Sequence, residues 1–167
     1  MTERAAGVPE DRDGGAPDDA GRSTIVLLDA DTVAGWRRPS PSLAQLHHAR
    51  RDLVTEHPHV RVAVVADPSI KWALPEEEQD AFERDIVARD VVCAPAGTSD
   101  GSDGWVRAIV SKVRANGDRA VIVTDRAVAG VPVARLSREG DRFRFDLAGA
   151  AEVEARATPQ WRRRRRG

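Results

Sequence analysis

The sequence contains a single cysteine, Cys93, among its 167 residues. One thiol cannot form a disulfide within the chain and cannot supply a cysteine-rich zinc site, so both kinds of cross-link are excluded. The thiol lies in the apolar run DVVCAP. This setting predicts a buried structural cysteine.

Long apolar segments are also missing. No stretch approaches the ~20 apolar residues that a membrane-spanning helix needs, and the first residues contain no apolar signal core. We therefore expect a cytoplasmic protein without a membrane partner. The many Ala, Arg, Val, Gly and Asp residues are typical of a GC-rich bacterial genome.

Charge of one sign is not in excess, because 26 basic residues stand against 27 acidic ones. No broad basic surface therefore indicates RNA binding, and any positive groove must be local. Residues 1–22 are acidic, rich in Gly and Pro, and poor in large apolar side chains, and the chain ends in WRRRRRG. We expect residues 1–22 and 151–167 to be flexible tails on one folded domain, residues 23–150. The arginine run either binds RNA phosphates or is simply solvated.

Apolar runs alternate with helical spacing along the folded part. The runs predict strands at 24–28, 60–66, 91–94 and 119–124, and the spacing predicts helices at 42–57, 75–89 and 105–116. Residues 29–41 and 95–104 are predicted loops, and a terminal strand and hairpin follow position 131. Continuous apolar runs indicate strands buried on both faces. We predict an α/β fold with three layers, α/β/α, around a mostly parallel sheet of four to five strands.

Aspartates stand where the predicted strands end. Asp29, Asp67 and Asp125 follow strands, and Asp103 precedes the third helix. Because parallel strands end at one edge of a sheet, these carboxylates should converge. Converging carboxylates repel one another unless a divalent cation lies among them, and oxygen ligands favour Mg²⁺ or Mn²⁺. Such a site is suited to the hydrolysis of phosphodiester bonds.

Several candidate site residues also have a purely structural explanation. Asp103 fits the first turn of a helix, and Asp67 fits a turn that ends a strand. Lys71 beside Trp72 could hold a phosphate and stack a base, or Trp72 could pack against the second helix. Arg126 either meets a phosphate or lies solvated in a loop.

Three short segments carry a likeness to a known family. They are VLLDADTVAG, APAGTSDGSDGWVRAIV and AVIVTDR. In order and spacing they resemble the three motifs of the PIN-like ribonuclease fold, in particular its NYN branch. The resemblance extends over residues 24–136.

This resemblance implies an endoribonuclease, a hydrolase that cuts single-stranded RNA with Mg²⁺ or Mn²⁺. The implied catalytic metal ligands are Asp29, Asp103 and Asp125. Asp31 is a further candidate metal ligand of this chain that the family pattern does not supply. The resemblance implies Thr124 and Thr32 as supporting residues. From their positions near the ends of the predicted strands, Asp67 is a further supporting candidate, and Lys71 and Arg126 are candidate RNA contacts.

Three positions depart from the family pattern. Thr32 stands where the family has Asn, Asp31 stands where a small residue is usual, and Gly104 stands where some relatives have a second aspartate. The alternative is therefore a weak or inactive PIN-like module that binds RNA or protein without cutting. A homodimer is compatible with the sequence, and nothing in it indicates a protein inhibitor.

The D-x-D of Asp29 and Asp31 also resembles the haloacid-dehalogenase phosphatases. In that family Asp29 would be the nucleophile and Asp31 the general acid. Those enzymes further need a Ser or Thr at a strand end, a lysine and a second acidic pair. Thr124 and Asp125 supply part of this set, but Ala129 stands where the second aspartate is needed.

Overall fold

The structure is a computed structural model that describes residues 21–95 and 101–152. In chain order its strands are β1 Thr24–Asp29, β2 Arg61–Ala66, β3 Val91–Cys93, β4 Arg119–Val123, β5 Pro132–Glu139 and β6 Arg142–Glu152. Its helices are α1 Ala30–Gly35, α2 Leu43–Glu56, α3 Ile70–Ala73, α4 Glu76–Val87 and α5 Gly101–Ala115.

Within these residues the strands form one sheet in the order β3-β2-β1-β4-β5-β6. All neighbours are parallel except β5 and β6, which pair antiparallel. The predicted α/β fold with a mostly parallel sheet is thus confirmed. The predicted count of four to five strands is wrong, because the terminal hairpin adds both of its strands to the sheet and makes six.

Helices cover both faces of the sheet and form two cores. Val26 and Leu28 of β1 face the core that contains α2 and Phe82 of α4. Leu27, between them, faces the core that contains α5. The chain runs from β1 outward to β2 and β3, and then returns through α5 to β4 on the other side of β1. A crevice at the carboxyl ends of β1 and β4 follows from this reversal, and ligands of open α/β sheets bind at such points.

Two predicted loops contain helix. Residues 30–35 form α1, whose buried Ala30, Val33 and Ala34 show helical spacing over a single turn. That pattern is too short to distinguish from a loop in the sequence, so the prediction of a loop at 29–41 is wrong for residues 29–35 and holds for residues 36–41. Helix α5 begins at Gly101 rather than 105, which places Asp103 inside its first turn.

Helix α1 is attached to α2 by one side chain. Gln45 Nε2 donates hydrogen bonds to the carbonyl oxygens of Val33 and Trp36, each at 2.9 Å. The Val33 carbonyl also accepts a hydrogen bond from the Trp36 N–H at 3.4 Å, and Trp36 is the C-cap residue of α1. Ser42 accepts a hydrogen bond from the Gln45 N–H at 3.2 Å, which confirms it as the N-cap of α2. The segment 32–36 is thereby fixed beside the carboxyl end of β1.

The predicted tails lie largely outside the described residues. Residues 1–20 and 153–167 are not described, and β6 continues to Glu152, two residues into the predicted C-terminal tail. No helix within the described ranges has the length and apolarity to cross a membrane. Cys93, predicted to be buried, is half-buried at the end of β3. Burial raises the pKa of its thiol, and the charges of Asp67 and Asp31 raise that pKa further.

Candidate functional site

A hydrogen-bond network joins Asp29 and Asp125 at the carboxyl edge of the sheet. Asp29 is only 5% exposed. Its Oδ2 accepts a hydrogen bond from the Thr124 hydroxyl at 2.8 Å and lies 2.9 Å from Thr32 Oγ1. Thr32 Oγ1 also lies 3.0 Å from Asp125 Oδ1. The Thr32 hydroxyl has one proton, so it donates to one of these two carboxylates at a time.

The backbone explains why these side chains meet. Asp29 is the last residue of β1, and Thr32 follows it by three residues, which is one turn of α1. Leu28 of β1 is in register with Val123 of β4. The residues that follow them, Asp29 and Thr124, therefore lie side by side. Parallel pairing and one short helical turn are sufficient to assemble the network.

A narrow cleft lies on the α5 side of this network. Its lining includes Asp29, Asp31 and Asp67, together with Trp105 and Arg126. The space inside is about 10 Å³, comparable with the room that one water or one ion requires. Among the described residues that line it, Arg126 is the only cation. The cleft therefore gathers carboxylates from the ends of two neighbouring strands.

Asp31 and Asp67 are in opposite electrostatic situations. Burial of its carboxyl raises the pKa of Asp31, and the charges of Asp29 and Asp67 raise that pKa further. The hydrogen bond that Asp31 Oδ2 accepts from the Asp67 N–H at 3.3 Å opposes this rise. Hydrogen bonds from the Ser69 hydroxyl and N–H lower the pKa of Asp67. The Ser69 N–H lies 2.9 Å from Asp67 Oδ1, as expected for a turn that ends a strand.

The raised pKa of Asp31 leads to a prediction about stability. Ionised Asp31 opposes folding above its folded-state pKa, and this penalty disappears as the pH falls through that value toward the unfolded value of 3.8. Asp31→Asn should therefore raise the melting temperature in EDTA at neutral pH. The increase in melting temperature should be small, because Asp31 as a whole residue is exposed and solvent screens the charges near its carboxyl group.

Thermal unfolding of both proteins across a pH series measures this effect. The difference in melting temperature should be largest at neutral pH and should shrink as the pH is lowered. A difference that grows on acidification would contradict the raised pKa of Asp31.

Asp103 is not part of the network around Asp29. Arg126 Nη2 lies 2.7 Å from Asp103 Oδ1 as an ion pair, and the same nitrogen donates to Ser102 Oγ at 3.0 Å. The ion pair lacks hydrogen-bond geometry, and the buried Oδ1 accepts no hydrogen bond from the part of the chain that the structure describes. Arg126 therefore pairs with Asp103 and also lines the cleft that contains the other carboxylates.

These residues fit a hard divalent cation in their chemistry. The cleft supplies carboxylate oxygens, and Asp103 Oδ1 is a buried oxygen that lacks a hydrogen-bond donor. Within residues 21–95 and 101–152, however, no three acidic, His or Cys side chains are arranged to hold a metal ion. Joining Asp103 to the cluster requires the ion pair with Arg126 to separate. Both side chains are partly exposed, so they can change rotamer without disturbing the core.

Lys71 and Trp72 lie apart from the cleft. Lys71 Nζ forms an ion pair with Glu83 of α4 and stands over the Trp72 ring, 4.7 Å from its centroid. Trp72 is 74% exposed, so the expected packing of its ring against the second helix is wrong. A larger cavity of about 610 Å³ lies between α2 and α4, near His47 and Asp85, away from the strand-end aspartates.

The sequence did not identify several residues around the site. Ser102 and Trp105 line the cleft because α5 begins earlier than predicted. Trp36 and Arg135 line a neighbouring pocket together with Asp125. Arg135 had no sequence signal, because its position depends on the pairing of β5 beside β4.

The chain was compared with known proteins at three levels. Protein-family models, curated proteins and solved structures all gave no match.

Proposed function

We propose that this protein is a metal-dependent endoribonuclease that hydrolyses phosphodiester bonds in single-stranded RNA. The observation that carries the proposal is the buried Asp29, held by the Thr32 and Thr124 hydroxyls where β1 and β4 end. Asp31 and Asp67 share its cleft, and Asp125 joins it through Thr32. A buried carboxylate among other carboxylates is costly without a cation, so such a cluster favours metal-assisted chemistry.

Each residue has a role in this proposal. Asp29, Asp31, Asp103 and Asp125 would hold the metal. When bound, the metal supplies an activated water and neutralises charge on the phosphate. The hydroxyls of Thr32 and Thr124 orient the Asp29 carboxylate through Oδ2. Arg126, once released from Asp103, is placed to bind a phosphate oxygen at the mouth of the cleft.

Thr32 occupies the position at which the NYN motif has Asn. In this chain its hydroxyl lies within hydrogen-bond distance of both Asp29 and Asp125. The shorter side chain therefore still connects the first and third motif segments. This contact supports an active enzyme over the alternative of a module that binds without cutting.

One contact favours a phosphatase as the second candidate. The Thr124 hydroxyl donates to Asp29, as a strand-end threonine beside a nucleophilic aspartate would. Lys71, the lysine that follows β2, is instead paired with Glu83. The phosphatase hypothesis therefore lacks a lysine placed at the cleft, and we rank it lower.

The proposal predicts RNA cleavage that depends on a divalent metal. Purified protein should cut a labelled single-stranded RNA with Mn²⁺ or Mg²⁺ and should be inactive in EDTA, because in the proposed mechanism the metal would activate the water and neutralise charge on the phosphate. Gel analysis of the RNA measures cleavage, and release of p-nitrophenol from p-nitrophenyl phosphate tests the phosphatase hypothesis in parallel. Phosphatase turnover without RNA cleavage would overturn the proposal. Binding of RNA without either activity would favour the non-cutting module.

A further inference from the structure

A second pocket adjoins the carboxylate cluster. Its volume is about 350 Å³, within the range of small-molecule sites. Thr32, Thr124 and Asp125 are part of its lining, and Arg126 lines both this pocket and the cleft. We call it the Trp36 pocket after its aromatic residue. A group bound in it would lie directly beside the site proposed for hydrolysis.

Trp36 gives this pocket a fixed aromatic wall. The ring is half-buried and meets the buried Phe143 edge-on, with centroids 5.8 Å apart and an interplanar angle of 65°. Gln45 also holds the Trp36 carbonyl at 2.9 Å. Val133 and Leu136 of β5 add apolar surface to the lining. A rigid aromatic ring with an apolar surround is suited to a planar base.

Arg135 gives the pocket a positive charge. Its side chain is exposed and forms no ion pair with any residue in the described ranges. Asp146 is its register partner on β6, but the Asp146 carboxylate accepts a hydrogen bond from the Gly149 N–H at 2.8 Å. The other charged residues of the lining are Asp125, bonded to Thr32, and Arg126, paired with Asp103. Arg135 is therefore the guanidinium of this pocket that is available to an incoming anion.

Arg37 adds a second positive group beside the same ring. Its guanidinium lies over Trp36, 4.4 Å from the ring centroid. The residue has a φ of 53°, in the left-handed region that residues other than glycine rarely adopt. Backbone strain of this kind concentrates at ligand-binding positions. The Trp36 ring and the unpaired Arg135 together indicate an anionic ligand with a planar aromatic part.

We infer that the Trp36 pocket binds one nucleotide of the RNA strand next to the phosphate at the carboxylate cluster. The base lies against Trp36, and the phosphate on its far side binds Arg135. This inference rests on the proposed function for the identity of the ligand. In this scheme the Trp36 pocket binds the RNA strand, and the carboxylate cluster performs the hydrolysis.

Binding without cleavage provides the test. Fluorescence anisotropy of a short labelled single-stranded oligoribonucleotide is measured in EDTA across a salt series. Arg135→Gln should weaken binding roughly fivefold and reduce the slope of log K against log salt by about 0.7, the value for one lost phosphate contact on a single strand. Trp36→Ala should weaken binding at least about fivefold through lost stacking, and Trp36→Phe should restore most of it.

Arg142→Gln is the matched control. Arg142 is also an exposed arginine of this sheet, lies at the start of β6, and forms no ion pair among the described residues. Its substitution should leave affinity and salt slope unchanged. Arg135→Gln should fold normally, because Arg135 is exposed and outside the core. Trp36→Ala could affect folding, because Trp36 packs on Phe143, so the Arg135 variant keeps the test decisive.

The two proposals fail in different ways. If both Arg135→Gln and Trp36→Ala bind RNA with wild-type affinity, the proposed nucleotide site in the Trp36 pocket is refuted, even if the protein cuts RNA. Equal weakening by Arg142→Gln, or no RNA binding by the wild type, would also overturn it. Selective weakening by the pocket variants in a protein that never cuts RNA would support the pocket and refute the nuclease.

Discussion

Asp29→Asn is expected to lower RNA cleavage at least about 100-fold, because even residues behind metal ligands contribute 10- to 100-fold. Asparagine has the same shape, and its amide oxygen can still accept hydrogen bonds from Thr32 and Thr124. The substitution removes the negative charge from a residue that is 5% exposed. The protein should therefore stay folded and should be as stable as the wild type in EDTA, or more stable.

Initial rates of cleavage with Mn²⁺ and thermal unfolding in EDTA check both parts of this prediction. Asp141→Asn is the control, since Asp141 is an exposed aspartate in the β5–β6 turn. It should leave the rate unchanged. Near-normal cleavage by a folded Asp29→Asn variant would show that the reaction does not use this carboxylate.

Phe82→Ala should give the largest loss of stability, about 3–5 kcal/mol of the free energy of unfolding. Phe82 is 1% exposed in the core on the α2 face of the sheet. Of the residues of α4, all of which the structure describes, Phe82 alone is buried. Removing its ring leaves a cavity and takes away the fully buried apolar contact of this acidic helix, so that only the partly buried Ala81 and Ile86 still pack against the core.

Urea unfolding of wild type and variants measures the loss. Val87→Ala is the control on the same helix, because Val87 is 85% exposed. It should change the free energy of unfolding by no more than about 0.5 kcal/mol. A loss below about 1 kcal/mol for Phe82→Ala would mean that α4 does not depend on this residue for its packing.

Most of the regular structure is predictable from local patterns in the sequence. Continuous apolar runs predict the strands because a parallel sheet is buried on both faces, and this prediction holds for β1, β2 and β4. The cap at Ser42 follows from local hydrogen bonding. Strand-end aspartates were identifiable because their position relative to an apolar run is a local property.

The contacts among these residues, in contrast, depend on how the strands and helices pack. Thr124 reaches Asp29 because β4 returns beside β1, and strand order is not a local property. Arg126 pairs with Asp103 because α5 starts early and faces the loop after β4. The Trp36 pocket depends on β5 lying beside β4 and on Phe143 of β6 supporting the ring. Such contacts depend on pairing between distant segments, for which a single sequence contains no periodic signal.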